Sequence, residues 1–203
     1  EKCSCREHME EVGYEVVSDS VFSKISDTCT PQGVLCVLKQ FHYNIEEMLR
    51  DKAPLFLLLE NIQDPGNLGT MLRTGEGAGV SGIIMSRDTV DLYNPKVIRS
   101  TMGSIYRVPF YYADDFAAAV HQVQQAGVSV YAAHLRGKNS YACQDYTKGT
   151  AFLIGNEGNG LREETAELAD CYIRIPMEGK VESLNAAVAS SILMYEAHRQ
   201  RAI

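Results

Sequence analysis

From Leu55 onward the chain alternates between two kinds of pattern. Short, unbroken apolar runs recur: "LFLLLE" (55–60), "SGIIMS" (81–86), "YRVPFYY" (106–112), "VSVYAA" (128–133), "TAFLIG" (150–155) and "CYIRIP" (171–176). Runs of this length and uniform apolarity are the signature of strands buried on both faces of a parallel sheet. Between them lie helical patterns. "NLGTMLRTGEGAGV" sets Leu68, Leu72, Gly75 and Gly79 at helical spacing despite its glycines. "NPKVIRSTMG" offers Asn94 as an N-cap, Pro95 at the first helical position and Gly103 as a stop. "ADDFAAAVHQVQQAG" opens acidic and ends on glycine, a short helix is expected after Gly160, and a last helix from about Ser183 to Arg199. Strands alternating with helices predict an α/β domain on a mostly parallel sheet.

Residues 1–54 do not share this rhythm, and the charged stretch from Glu46 to Lys52 joins them to the rest. The expected division is a small N-terminal part with linker, 1–45, and a main domain, 46–203. No apolar run approaches the roughly 18 residues needed to cross a bilayer, so no membrane association is expected. Composition is ordinary for a globular chain, with 45% hydrophobic and 22% charged residues. Six cysteines (Cys3, Cys5, Cys29, Cys36, Cys143, Cys171) form no CxxC pair. A zinc ribbon is thereby disfavoured, no metal is expected, and reduced thiols in a cytoplasmic setting are the default. The net charge of −7 runs against the basic footprint of a nucleic-acid binder. Any RNA contact must use a local patch, for which Arg73, Arg87, Lys96, Arg99, Arg107, Arg136, Lys138 and Lys180 are available near strand ends and loops.

Three loops after strands carry the candidate chemistry, since open α/β sheets place ligands there. In "ENIQDPGNLGTMLR" (60–73), Asp64-Pro65-Gly66 makes a turn, Asn67 can cap the following helix, and Arg73 lies about two turns along it. In "LIGNEGNGL" (153–161) the glycines read G-x-x-G-x-G, the reverse of the dinucleotide spacing, and Glu157 makes a phosphate cradle a poor fit. The third is "IPMEGKVESLNAAVASSILMYEAHR" (175–199), a turn followed by a helix with small residues at nearly every position. Something must approach that backbone closely.

Together, "DPGNLGTMLRT", "FLIGNEGNGL" and "IPMEGKVESLNAAVA" resemble the three motifs of the SpoU (TrmH-type) class of SPOUT RNA methyltransferases, in the family's order. "SDTCTPQGVLCVL" (26–38) resembles the end of the L30e-like RNA-binding domain that often precedes this catalytic domain. With Glu1 rather than Met at the start, an upstream portion is expected. The resemblance implies transfer of a methyl group from S-adenosylmethionine to a ribose 2′-hydroxyl of RNA. Ribosomal RNA is favoured by the L30e-like remnant; transfer RNA, or a non-catalytic RNA-binding dimer, are the alternatives. It also implies a C-terminal deep trefoil knot and a homodimer. Carried over residue by residue, Gly155, Ile175 and Leu184 match cofactor-holding positions, with Asn156, Met177, Asn185, Ala133 and His134 as further wall residues. Arg73 matches the catalytic arginine, Asn67 the first-motif asparagine, and Glu157 the second-motif glutamate, expected to orient Asn67 or Arg73. Gly75-Glu76-Gly77 departs from the alanine-rich helix usual after that arginine, which puts the helix's stability in question.

Overall fold

The computed structural model describes residues 11–26 and 28–202. The chain separates into two compact units, Glu1–Phe41 and His42–Ile203. The first holds helix α1 (Asp19–Ile25), N-capped by Ser18 and with no buried residue. The second begins a few residues before the boundary expected from sequence. Asn44 caps the short helix α2 (Ile45–Met48), whose Ile45 and Met48 sit in that unit's core.

Among the described residues, seven strands form one sheet, in the order β3-β2-β1-β6-β4-β7-β5. The strands are β1 (Leu55–Leu59), β2 (Gly82–Ser86), β3 (Phe110–Ala113), β4 (Ser129–Ala133), β5 (Asn139–Ser140), β6 (Thr150–Ile154) and β7 (Cys171–Arg174). Every pairing is parallel. The central strands β1, β2 and β6 are buried at every position, which is why their runs are uniformly apolar rather than alternating. Phe56 and Leu58 join Val120, Val123 and Ala166 on one face; the alternate residues of β1 face the other side. The short edge strand β5 carries no apolar signal and was not expected from the sequence.

The helices are α3 (Pro65–Ala78), α4 (Pro95–Thr101), α5 (Phe116–Gln125), α6 (Glu163–Ala166) and α7 (Ala186–Arg201). Helix α3 is continuous, which answers the question raised by its glycines. Gly75 faces Val80 and Met194, Gly77 faces the Tyr195 hydroxyl, and Gly79 (φ 77°) caps the helix in the left-handed region. The glycines let α7 lie close against α3, and the packing compensates for their low helix propensity. Two expectations are corrected. The cap of α3 is Asp64, whose Oδ1 accepts from the Asn67 N–H at 2.7 Å, so Asn67 is a helical residue rather than the cap. Helix α7 begins at Ala186, not Ser183, because Asn185 Oδ1 accepts from the N–H groups of Ala187 and Val188. At its other end Arg201 donates to the carbonyls of Ala53, Tyr146 and Lys148, fastening the helix to the approaches of β1 and β6.

The tightest helix contact is between α3 and α4. A Cβ at Gly69 would fall inside the envelope of Ser100, whose hydroxyl is held by the carbonyls of Pro65 (3.1 Å) and Val97 (2.8 Å). Helix propensity alone would make Gly69→Ala stabilising by about 1 kcal/mol. Overpacking costs about 1–3 kcal/mol and Ser100 cannot yield without losing its bonds. The net effect expected of Gly69→Ala is therefore destabilisation, read as a lower urea midpoint with unchanged slope; a raised midpoint would show that the helices can part.

Candidate active site

The loops after β4, β6 and β7 meet at the carboxyl ends of the central strands. They enclose a cavity of about 260 Å³ whose walls include Ala133, His134, Gly155, Asn156, Ile175, Met177 and Leu184. Of the residues expected to hold the cofactor, Asn185 alone is not on this wall. Further lining comes from Leu135, Leu161, Ile173, Arg174 and Glu182, for which the local sequence carried no distinguishing pattern. Ile175, Met177 and Leu184 are only half-buried, and much of the remaining wall belongs to residues 154–161. An apolar slot edged by peptide groups suits a flat heterocycle on an apolar stem. Glu182 is the carboxylate available to a cationic ligand. S-adenosylmethionine fits this donor set: apolar walls and peptide groups for the adenosine, a carboxylate for the positive charge.

Gly155 owes its identity to the chain itself. A Cβ there would collide with the backbone of Gly160 and Leu161, because the loop folds back on itself: Asn156 N–H donates to Gly160 O (3.1 Å) and Gly160 N–H to Asn156 O (2.9 Å). The close approach expected at this position is made by the loop's own far end. Asn156 Oδ1 accepts from the N–H groups of Gly158 and Asn159, both at 3.0 Å.

Glu157 is the hub. Its carboxylate accepts from Asn67 Nδ2 (3.0 Å), the Asp64 N–H (3.0 Å) and the Gln63 N–H (3.1 Å). Burial raises its pKa, but the Asn67 amide and these backbone donors outweigh burial, so the carboxyl lies below its ordinary 4.5. The other end of Asn67 is also engaged, since Asn185 Nδ2 donates to Asn67 Oδ1 at 2.9 Å. Glu157 thus orients Asn67 and has no contact with Arg73. Arg73 is exposed on α3 with no hydrogen-bond or ion-pair partner among the described residues. Of the cations proposed for a basic patch, Arg87, Arg107 and Arg136 are paired with Asp114, Glu76 and Glu163. The pair with Arg107 and a hydrogen bond from Ser104 hold Glu76 down to about 2. His134, stacked near Tyr172 at 5.1 Å, has its pKa lowered by burial and by Arg136. No His, Cys, Asp and Glu cluster suited to a metal occurs among the described residues.

A parallel α/β sheet with its cleft at the strand ends, walled by the loops after β4, β6 and β7, defines a ligand-binding domain of the open-sheet type. Residues 54–195 match the SpoU rRNA Methylase family, and the chain belongs to that family. It is 35% identical over 180 residues to the 23S rRNA (guanosine(2553)-2′-O)-methyltransferase RlmP of Bacillus subtilis, covering 89% of this chain and 70% of that protein. A 23S rRNA (guanosine-2′-O-)-methyltransferase RlmB from Ralstonia nicotianae is 33% identical, with 88% and 74% covered. Among solved structures, an AdoMet-bound rRNA methyltransferase from Sinorhizobium meliloti superimposes with a TM-score of 0.81 at 36% identity, covering 90% of this chain and 70% of that one. The SpoU methyltransferase AviRb from Streptomyces viridochromogenes gives a TM-score of 0.74 at 30% identity; the match covers 78% of this chain and 64% of AviRb. The strand order and parallel pairing are those of the SPOUT fold, and consistent with its C-terminal knot.

Glu157→Gln tests the hub. Three donors converge on the carboxylate, and the amide would turn its own donor toward one of them, so a loss of about 1–3 kcal/mol of stability is expected at pH 7. A carboxyl depressed in the fold adds stability that is complete above its unfolded pKa and disappears as pH falls through the folded value. The gap between wild type and Glu157→Gln in urea unfolding should therefore close as pH drops below 4.5; a gap independent of pH would remove the charge from the explanation.

Proposed function

We propose that this chain methylates a ribose 2′-hydroxyl of RNA, with ribosomal RNA as the substrate and the cytoplasm as the setting. The observation that carries this reading is the cavity of about 260 Å³ walled by the second and third motif loops and the end of β4 in a member of the SpoU rRNA Methylase family. The relatives named as 23S rRNA 2′-O-methyltransferases and the neighbour named as AdoMet-bound support it. When bound, S-adenosylmethionine supplies a sulfonium methyl that passes to the ribose oxygen as a neutral thioether leaves.

The residues divide the work as follows. Ile175, Met177 and Leu184 exclude water from the reacting centre, which favours a step in which charge is lost. The backbone from Gly155 to Gly160, with Ala133 and His134, holds the adenosine. Asn67, fastened at both ends of its amide, positions the loops. Arg73 is the group left to meet the ribose and its phosphate. A guanidinium remains protonated at neutral pH, so it stabilises the developing alkoxide while the hydroxyl proton leaves to phosphate or water. Helices α3 and α4 pack together and carry Arg73, Lys96 and Arg99, none ion-paired among the described residues. This is the local basic patch that an otherwise acidic chain needs. Residues 1–45 are assigned to a partial L30e-like domain and linker, and residues 46–203 to the catalytic domain.

The enzyme is further proposed to act as a homodimer. On α7, Val188 (48% exposed) and Tyr195 (50%) flank Ile192 at helical spacing, an apolar stripe on the outer side of the helix. Sedimentation should show a dimer at micromolar concentration, and Val188→Asp with Tyr195→Asp should return the monomer; a monomeric wild type would overturn the assignment.

Arg73→Ala separates chemistry from cofactor binding. With labelled S-adenosylmethionine and ribosomal RNA, kcat should fall roughly 10²–10³-fold, about 3–4 kcal/mol of transition-state stabilisation. Affinity for the cofactor should stay within about 1 kcal/mol. Arg73→Lys should not rescue, because a point charge lacks the planar fork. Near-normal transfer by Arg73→Ala would make it a surface residue.

A further inference from the structure

Met102 stands where glycine would be more stable. It ends α4 with φ 51° and ψ 35°, and among the described residues Asn61 alone shares a positive φ without being glycine. Asparagine tolerates the left-handed region because its short polar side chain bonds locally; a long apolar side chain has no such compensation. Burial supplies none, since Met102 is 70% exposed while its neighbour Thr101 is fully buried. Gly103 follows at φ 90°, so the turn already has the glycine that helix ends commonly use. A strained apolar side chain held out in solvent points to a partner.

Contacts on either side fix where this turn lies. Gly69, Arg73 and Glu76 share one face of α3, at i, i+4 and i+7. Gly69 abuts Ser100, and Glu76 accepts from the Ser104 hydroxyl at 2.6 Å and pairs with Arg107. The chain from Ser100 to Ser104 therefore runs alongside α3, and Met102 lies beside the stretch that carries Arg73. The surroundings are basic. Helices α3 and α4 and the 3-10 turn Ser104–Tyr106 contain one acid, Glu76, and Arg107 neutralises it. Arg73, Lys96 and Arg99 have no ion pair among the described residues, and Arg99 stands three residues before Met102, on the last turn of α4.

One apolar tip among cations fits a partner that offers a flat apolar face and phosphates together. An unstacked nucleotide offers both. Methionine makes favourable contacts with aromatic rings and is among the residues that wedge against bases in nucleic-acid complexes. A protein partner needs about 800 Å² of contact, which a lone side chain does not provide. We propose that Met102 is a seat for an unpaired base of the RNA whose ribose and phosphate Arg73 meets, with Arg99 toward the adjoining phosphate. The proposal rests on RNA being the substrate, and adds a residue that holds a base without reading its identity.

The test compares the binding of two labelled oligomers to the full chain by fluorescence anisotropy: oligouridylate, and an abasic ribose-phosphate chain of the same length. Wild type should prefer oligouridylate. Met102→Gly should bind oligouridylate about tenfold more weakly and the abasic chain as before, while its urea midpoint rises because the strain is relieved. Met102→Leu, which keeps the apolar bulk, should retain the preference. Unchanged oligouridylate binding in Met102→Gly, or no preference in the wild type, would overturn the base seat. A lowered urea midpoint in Met102→Gly would make Met102 a packing residue, and dissociation of a dimer in sedimentation would assign it to a subunit contact; either result overturns the proposal as well. Methyl transfer from S-adenosylmethionine is scored apart: a wild type that keeps the base preference but transfers nothing counts against the enzymatic reading and leaves the base seat standing.

Discussion

Both ends of one side-chain amide are committed in this protein, and the site depends on that. Asn67 donates to Glu157 and accepts from Asn185, so a single residue of α3 joins the β6 loop to the start of α7. Glu157 in turn holds the backbone of Gln63 and Asp64, and Asn185 holds the first turn of α7. Three segments far apart in sequence become one wall. Each bond alone contributes about 1 kcal/mol, but loss of any member leaves its partners unsatisfied in a partly buried setting, where the cost is greater.

This explains a division of labour among polar residues that share one neighbourhood. Asn67 is bonded at both ends of its amide and Glu157 accepts three hydrogen bonds, which fixes the geometry of the loops. Arg73, two turns further along the same helix, is exposed and has no ion-pair or hydrogen-bond partner among the described residues, as its proposed role toward the substrate requires. The same logic sorts the cations. Arg87, Arg107, Arg136 and Arg162 are paired with carboxylates, whereas Arg73, Lys96 and Arg99 on α3 and α4 are not ion-paired among the described residues, in a chain with net charge −7.

Small residues do three separate jobs. Gly155 allows a loop to fold onto itself, Gly69 allows two helices to meet at Ser100, and Gly75 and Gly77 admit Met194 and Tyr195 of α7. On α7 itself Ala187 and Ser190 are buried while Val188 and Tyr195 remain exposed. One face of the helix is therefore explained by the chain's own packing, which also reaches the Tyr195 hydroxyl, while Val188 lies outside it.

The sequence by itself determined the parallel α/β class, six of the strands, the presence of the main helices and two of the loops that wall the cavity, because these follow from local apolarity and turn chemistry. Length and uniform burial made β1, β2 and β6 legible; the two-residue edge strand β5 carries too little apolar surface to be read. Which residue caps α3, and that a Cβ at Gly155 would meet the backbone of Gly160 and Leu161, depended on distances that no spacing encodes. Only the tertiary structure decided the partners of Asn67, which lie 90 and 118 residues away. An amide bonds whatever the fold brings within about 3 Å, and that is a property of the whole chain's path rather than of any segment of it.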